Sequence, residues 1–248
     1  EYAADPRPTK IDLGVGVYKD EKGVTPVMTA VRKAEEKILS NEKTKTYLGI
    51  AGNKGFGAAV LDLVLADTVD RARVRIAQAP GGTGSLWVLF QLINRAKPGA
   101  TVYVSDPTWA NHTPMITGSG LKVATYPYFD PETRGVKFPE MLAALDKLGA
   151  GDVVLLHGCC HNPTGANLSN EQWDQVAASL ARTGALPFID LAYLGFGDGI
   201  EADGYGTRKI LSSVPEVLIA FSGSKNFGLY RERVGAAILV ARDEKEAD

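Results

Sequence analysis

The sequence is poor in cysteine, and its two cysteines, Cys159 and Cys160, are adjacent. Adjacent cysteines are poor partners for a structural disulfide, so we expect a reduced pair and a cytoplasmic protein. The neighbouring His161 would complete a set of metal-ligand types. Side chains next to one another on a strand, however, point to opposite faces. The sequence therefore predicts no structural disulfide and no metal site.

Other features that mark particular classes of binding protein are also missing. The formal net charge is -2, which provides no basic surface for nucleic acid. No apolar run approaches the ~20 residues that span a bilayer, so we expect no membrane partner. The segment Gly81–Gly84 is not followed by Gly-Lys-Ser/Thr, and no dinucleotide-binding spacing is present. These absences argue against functions in nucleic-acid, membrane or nucleotide binding.

The bulk composition is that of an ordinary globular protein. Of the 248 residues, 45% are hydrophobic and 23% are charged, and the length suffices for one large domain or two unequal ones. The sequence has no internal repeats and no low-complexity linker. It begins at Glu1 rather than at Met, and it stops in a charged segment typical of a helix that is just beginning. We therefore expect a fragment of a longer protein.

Short apolar runs alternate with amphipathic segments along most of the chain. The first 27 residues are irregular and include the short segment Ile11-Asp12-Leu13. Ser169 and Gln172 form a capping-box pattern, which predicts the start of a helix. Predicted helices cover about residues 28–39, 56–64, 85–93, 138–148 and 170–180, and predicted strands cover residues 74–77, 101–104, 121–126, 153–156, 185–189, 217–221 and 234–240. This alternation predicts an α/β fold, in which a mostly parallel sheet has helices on both faces.

Unusual polar residues follow four of the predicted strands. They are Trp109 and His112, His157 and Asn162, Asp190 and Tyr193, and Ser222 to Lys225. In parallel sheets, ligands bind outside the carboxyl ends of the strands, so we expect these groups to line one site. Taken singly, each histidine or tryptophan is also explained by packing, and the aspartate by a helix or turn cap.

The stretch after the sixth predicted strand has the chemistry of a site for an aldehyde phosphate. Lys225 has an amine that reacts with a carbonyl when burial or neighbouring cations keep part of it neutral. Ser222, Ser224 and Arg233 offer the donors that bind a phosphate monoester. Gly81–Gly84 could add backbone N–H groups at a helix start, although a tight turn without a ligand is the simpler interpretation. Together these residues indicate pyridoxal phosphate rather than a nucleotide.

Six motifs, in this order, resemble those of the class I aspartate and aromatic aminotransferases, which are fold-type I pyridoxal-phosphate enzymes. The motifs are TKTYLGIAG at 44–52, GGTG at 81–84, SDPTWANH at 105–112, HGCCHNPTG at 157–165, DLAYLGF at 190–196 and SGSKNFGLYRERVG at 222–235. They are distributed over almost the whole chain. Segments such as TYLGIAG and YRERVG are most similar to bacterial aromatic or dual-specificity members.

The resemblance implies a role for each residue near the cofactor ring. Lys225 would bind the cofactor aldehyde as a Schiff base and later move a proton on the substrate. Asp190 would pair with the pyridine nitrogen and keep it protonated. Tyr193 and Asn162 would hydrogen-bond the phenolic oxygen, and Trp109 would stack on the ring. Asn162 and Trp109 would also contact the substrate.

The resemblance also implies the surroundings of the ring. His112 and His157 would position Asp190. The phosphate would lie among the helix start and the residues around the lysine, namely Gly82, Thr83, Ser222, Ser224 and Arg233. Tyr47 would reach the phosphate of a neighbouring subunit, which implies a homodimer with shared active sites. Gly16 would lie near the substrate carboxylate.

The implied protein is a two-domain aminotransferase. Residues 1–25 would belong to the small domain and residues 26–248 to the large pyridoxal-phosphate-binding domain, with the C-terminal segment of the small domain absent. That absent segment would carry arginines that bind the substrate carboxylates. The implied reaction moves the α-amino group of aspartate, tyrosine or phenylalanine to 2-oxoglutarate, a 2-oxo acid, by a ping-pong mechanism. Two alternatives remain open: a lyase of the same fold type, and a truncated subunit that binds the cofactor or dimerises without holding substrate.

Overall fold

The computed structural model describes residues 2–11, 14 and 16–248. The chain separates between Lys45 and Thr46 into two compact units. The first unit contains a 3₁₀ turn, Tyr2–Ala4, and helix α1, Thr29–Asn41, which confirms the first predicted helix. The predicted segment Ile11-Asp12-Leu13 lies partly outside the described residues. The assignment of residues 1–25 and 26–248 to different domains stays a prediction.

The second unit is built around a seven-stranded sheet, as the alternating pattern predicts. The strands are β1 Val74–Pro80, β2 Thr101–Asp106, β3 Lys122–Pro127, β4 Val153–His157, β5 Leu186–Leu191, β6 Val217–Ser222 and β7 Val234–Val240. Their order across the sheet is β1-β7-β6-β5-β4-β2-β3. β7 pairs antiparallel with both β1 and β6, and the other neighbours are parallel. The predicted, mostly parallel sheet is therefore confirmed.

Helices flank the sheet and join most of its strands. They are α2 Lys54–Leu65, α3 Gly81–Ala96, α4 His112–Gly118, α5 Phe138–Leu145, α6 Asn170–Thr183, α7 Ile200–Asp203, α8 Tyr205–Ser213 and α9 Glu244–Ala247, with a 3₁₀ turn at Arg71–Arg73. The predicted capping box is present at α6, where Ser169 Oγ accepts from the Gln172 N–H at 3.2 Å and Gln172 Oε1 accepts from the Ser169 N–H at 2.9 Å. Among the described residues, no helix combines the length and the apolar character needed to cross a membrane.

The core lies on both faces of the sheet, because alternate residues of the central strands pack in opposite directions. On β4, Val154 and Leu156 join a cluster with α5, α6 and α8, whereas Leu155 joins a second cluster with α3 and α4. Phe90 of α3 meets Phe188 of β5 in this second cluster, with ring centroids 5.1 Å apart. Burial on both faces explains why these strands are apolar runs rather than alternating ones.

Candidate functional site

The candidate site lies at one edge of the sheet, where several strands with the same direction end. β2, β4, β5 and β6 are parallel, and β1 shares their direction because both β1 and β6 are antiparallel to β7. Their carboxyl ends therefore lie at the same edge. The features found there are the SDPTWANH turn after β2, His157 on β4, Asp190 on β5, Ser222 on β6 and the start of α3 after β1. β7 runs the other way, so its amino end brings Arg233 to this edge as well. Most of the residues predicted to bind a cofactor are thus neighbours.

Asp190 is the buried acid at the centre of this edge. It is the fifth residue of β5, and 10% of its side chain remains accessible. The fully buried His112, at the start of α4, places Nε2 3.0 Å from Asp190 Oδ2. Burial raises the pKa of the carboxyl, but the hydrogen bond and charge of His112 outweigh this effect and hold the pKa below its usual range. Asp190 is therefore an ionised acceptor whose orientation is set by His112.

Thr108 connects the two histidines that were predicted to position Asp190. Its Oγ1 lies 2.8 Å from His112 Nδ1 and 3.2 Å from His157 Nε2. His157 Nδ1 accepts the backbone N–H of Asn162 at 3.4 Å, so the proton of the neutral ring is on Nε2 and faces Thr108. Burial, followed by the neighbouring His161, lowers the pKa of His157 to about 3. A chain of hydrogen bonds thus runs from the loop after β4, through His157, Thr108 and His112, to Asp190.

Sequence reasoning missed Thr108 and also the third histidine, His161. His161 is buried, with Nε2 2.9 Å from Ser105 Oγ and Nδ1 2.8 Å from Thr164 Oγ1. Its ring stacks on Tyr128 at 4.0 Å and lies 4.2 Å from the ring of His157. Burial, followed by His112, lowers its pKa to about 4. The sequence signal was present, since His161 and Thr108 lie inside two of the six motifs.

Lys225 and Tyr193 face one another across the site. Lys225 is half-buried, and its Nζ lies 5.3 Å from the centroid of the Tyr193 ring. Burial lowers the pKa of Lys225, Asp190 opposes this effect, and the positive Arg233 adds to it. Burial and then Asp190 raise the pKa of Tyr193, against the effect of its hydrogen bond with Asn162. The structure therefore gathers an amine with a lowered pKa, a phenol and an amide beside the central carboxylate.

A group of polar residues and a glycine surrounds the strand end that precedes Lys225. Ser222 and Ser224 are buried, and Ser222 Oγ accepts the backbone N–H of Ser224 at 3.2 Å. Arg233 Nη1 donates to Ser224 Oγ at 3.3 Å. Gly82 packs directly on Ser222, because a Cβ at Gly82 would lie 2.9 Å from Ser222 Cβ. Donors from β6, from the start of β7 and from the amino end of α3 therefore converge, as predicted for an anion site.

Ser85 holds this helix start in place, a role that the sequence did not indicate. Its buried Oγ lies 2.9 Å from the Gly81 carbonyl oxygen and 3.2 Å from the Phe221 carbonyl oxygen of β6. Its position directly after the glycine motif was the available signal. Thr83, two residues earlier, is exposed.

Three predicted residues, Trp109, Tyr47 and Gly16, have no part in the hydrogen bonds described above. Trp109 is half-buried, and its ring meets His112 edge-on with centroids 5.3 Å apart. Tyr47 is 99% exposed, and its predicted partner belongs to another subunit. Gly16 is exposed and belongs to the first unit. The roles of Tyr47 and Gly16 therefore stay predictions.

Comparison with known proteins agrees with this geometry. Residues 8–246 match the family model described as aminotransferase class I and II. The chain belongs to this family. It is 54% identical over 243 residues to an aromatic-amino-acid aminotransferase of Paracoccus denitrificans, an alignment that covers 98% of this chain and 62% of the relative. It is also 46% identical over 250 residues to an aspartate aminotransferase of Escherichia coli K12, covering 100% of this chain and 63% of the relative.

The fold is similar to that of solved aminotransferases. One is an aromatic-amino-acid aminotransferase from Burkholderia pseudomallei covalently bound to pyridoxal phosphate, with a TM-score of 0.95 and 42% identity. The match covers 99% of this chain and 62% of that structure. The resemblance inferred from the six motifs is confirmed, as is the α/β fold. The chain spans 62% to 63% of the length of the two curated relatives.

Proposed function

We propose that this chain provides the cofactor site of a pyridoxal-phosphate aminotransferase. The observation that carries the proposal is the placement of Lys225, an amine whose pKa is lowered by burial, near two groups of opposite charge. The ionised Asp190 and the positive Arg233, which donates to Ser224, are both close enough to affect the pKa of Lys225. Membership of the aminotransferase family and the pyridoxal phosphate bound by the Burkholderia relative support this assignment.

The residues present fit the chemistry of pyridoxal phosphate. The aldehyde needs an amine with a neutral fraction, which Lys225 supplies. The phosphate needs converging donors, which Arg233, Ser222 and Ser224 supply together with the start of α3. The protonated ring nitrogen needs a buried, ionised carboxylate, which Asp190 supplies. These groups belong to neighbouring strand ends, and we expect one molecule to contact all of them.

Pyridoxal phosphate, when bound, supplies an electron sink for the negative charge that develops at the substrate Cα. Lys225 would hold the aldehyde carbon and, once released, would take the proton from the substrate Cα and return it. A lowered pKa increases the fraction of the amine that can accept this proton near neutral pH. Tyr193 and Asn162 would bind the phenolic oxygen beside Lys225.

Asp190 would keep the ring nitrogen protonated, and the chain of hydrogen bonds behind it would fix its orientation. His112 donates to one carboxylate oxygen and is itself held by Thr108. Because His157 has a pKa of about 3, it stays neutral at physiological pH and adds no competing positive charge near Asp190. The negative charge of Asp190 is therefore available to the cofactor.

The substrates would be an amino acid and a 2-oxo acid. We favour aromatic amino acids or aspartate as amino donors and 2-oxoglutarate as the acceptor, because the two curated relatives act on aromatic amino acids and on aspartate. The working protein would be a cytoplasmic homodimer in which Tyr47 of one subunit reaches the phosphate site of the other. The 99% exposure of Tyr47 leaves its ring accessible to a partner.

Trapping of the cofactor with borohydride tests the proposal. The purified protein is incubated with pyridoxal phosphate, reduced and digested, and the labelled peptide is identified by mass spectrometry. We expect the label on Lys225, no label there in Lys225→Arg, and unchanged labelling in Lys122→Arg, a substitution at an exposed lysine of β3. A label on another lysine, or no label in the unsubstituted protein, would refute the assignment.

A spectroscopic half-reaction then tests the reaction type. Addition of tyrosine or aspartate without a 2-oxo acid should convert the bound cofactor to its amino form and release the matching 2-oxo acid. Release of ammonia or carbon dioxide without that form would instead support a lyase. Labelling of Lys225 without any spectral change would support a subunit that binds the cofactor but not the substrate.

A further inference from the structure

Cys159 and Cys160 lie outside the strand that precedes them, so their thiols are not forced apart. β4 ends at His157, and Cys160 has a backbone φ of +49°. The expectation of opposite side-chain directions, which holds for a strand, therefore does not apply. The two Sγ atoms and a carboxylate oxygen of Asp203 all lie within 4.8 Å of one another. Two thiols and one carboxylate thus form a compact group from separate parts of the chain.

The carboxylate of this group is held in place by backbone donors. Asp203 Oδ2 accepts the N–H groups of Gly195 at 2.8 Å and Gly197 at 2.9 Å, and Oδ1 accepts the N–H of Asp198 at 2.9 Å. A carboxylate has about four acceptor positions, so these bonds leave Oδ1 with capacity for one more partner. Asp203 is also buried, with 9% of its surface accessible. The oxygen is therefore oriented before any ligand arrives.

The group is accessible from a cavity. A cavity of about 250 Å³ is lined by Cys159, Asp203, His157 and Trp173, among others. This volume holds several water molecules, so a hydrated ion can approach Cys159 and Asp203 and keep a water ligand on the cavity side. Of the residues predicted to bind or position the cofactor, His157 alone appears among the described residues that line this cavity.

We propose that Cys159, Cys160 and Asp203 form a binding site for one thiophilic divalent cation of the Zn²⁺ class. Two thiolates and one carboxylate are ligand types that Zn²⁺ and Cd²⁺ accept, and a water molecule from the cavity would complete four-coordination. Binding forms two metal–sulfur bonds and releases the two thiol protons to solvent, with no change in oxidation state. In the metal-free protein the Cys160 thiol donates one of these protons to the Tyr193 carbonyl oxygen, 4.0 Å from Sγ.

The two thiols already interact with one another. The hydrogen bond between them lowers the pKa of the Cys160 thiol and raises that of the Cys159 thiol. None of the three proposed ligand side chains is assigned to the cofactor ring or phosphate, and the two groups of residues meet where Cys160 Sγ contacts the backbone carbonyl oxygen of Tyr193. Cation binding is therefore measured directly rather than through transamination.

Cadmium titration of the full-length protein, purified reduced and free of metal, tests the site. The 248-residue sequence contains two cysteines, so Cys159→Ser and Cys160→Ser assign the ultraviolet thiolate-to-cadmium charge-transfer band to this pair. We expect saturation at one cation per chain, release of two protons, and displacement by Zn²⁺. Each cysteine variant should lose the band.

Asp203→Asn and Asp67→Asn form a matched pair that tests the third ligand. Both remove one negative charge, but Asp67 is exposed and lies outside the group. Loss of a residue that only supports a metal ligand lowers metal affinity by roughly tenfold to hundredfold. We expect Asp203→Asn, which removes a ligand itself, to weaken cadmium binding by at least this factor, and Asp67→Asn to leave the affinity unchanged. Equal affinity in the two variants would overturn the three-ligand site.

The unsubstituted protein provides a second measurement that does not depend on how the variants fold. Bound Zn²⁺ should slow the reaction of both thiols with a disulfide reagent, and a chelator should restore the rate. Unchanged thiol reactivity in saturating Zn²⁺, or a charge-transfer band that survives in either cysteine variant, would overturn the proposal.

Discussion

Replacement of Gly81 by alanine tests whether Arg233 belongs to the phosphate site. Gly81 has a φ of +72°, and a Cβ at this position would lie 2.5 Å from Arg233 Nη2 and 2.9 Å from Arg233 Cζ. The added methyl group therefore cannot coexist with the observed guanidinium position. The guanidinium is the end of a flexible side chain, so we expect it to move while the backbone of α3 stays in place.

Two separate costs follow from this geometry. An alanine in the left-handed region costs about 1–2 kcal/mol of stability, because its Cβ approaches the following carbonyl oxygen. Displacement of Arg233 removes a charged hydrogen bond to the phosphate, which contributes about 1.5–3 kcal/mol to binding. Since each 1.4 kcal/mol changes an equilibrium about tenfold, the affinity for pyridoxal phosphate should fall by about ten- to a hundredfold.

Gly99→Ala separates the two costs. Gly99 has a similar φ of +68°, but no atom lies within 4 Å of a Cβ built there. It precedes β2, at the opposite edge of the sheet from the site. Thermal unfolding of the cofactor-free protein should show similar losses of stability in both variants. Absorbance titration with pyridoxal phosphate should show weaker binding in Gly81→Ala alone, and equal affinities would refute the role of Arg233.

Two further predictions concern pH. Arg233→Gln should raise the pKa of Lys225, because it removes a positive charge that helps to lower that pKa. Borohydride trapping of pyridoxal, a probe without a phosphate, should therefore require a higher pH in the variant than in the unsubstituted protein. An unshifted pH profile would contradict the coupling between Arg233 and Lys225. His157 has a pKa of about 3 in the folded protein, against an ordinary value of 6.5. Between these values the unfolded chain binds a proton that the folded protein does not, so stability falls as pH falls, by about 1.4 kcal/mol per pH unit. Urea unfolding at several pH values should show a smaller slope in His157→Gln, and an identical slope would contradict the burial of a neutral His157.

Much of the fold follows from local sequence patterns. All seven strands were predicted, and the central strands β4 and β6 are continuous apolar runs because both faces of the sheet are covered there. The capping box at Ser169 and Gln172 located the start of α6, since its two hydrogen bonds involve residues three apart in the chain. α8 was missed, because Gly206 and two serines give it a weak helical signal, and burial of Ile210 and Leu211 stabilises it instead.

The position of the candidate site was also predictable, because carboxyl ends of parallel strands meet at one edge. The direction of β7 was not predicted. The connection from Gly223 to Arg233 contains no helix among the described residues, so the chain returns antiparallel beside β6 instead of crossing over. This reversal brings Arg233 back to the edge that carries Lys225.

The sequence by itself determined the strands, the main helices, the family and the residues gathered at the sheet edge. The tertiary structure decided which side chains meet. These are His112 with Asp190, Thr108 with His112 and His157, and the two cysteine thiols with Asp203. The physical reason is one of range. Helices and strands depend on neighbours a few residues apart, whereas these contacts join distant segments. For His157 and Asp190, which lie on strands, a shift of one residue in register would turn the side chain to the other face.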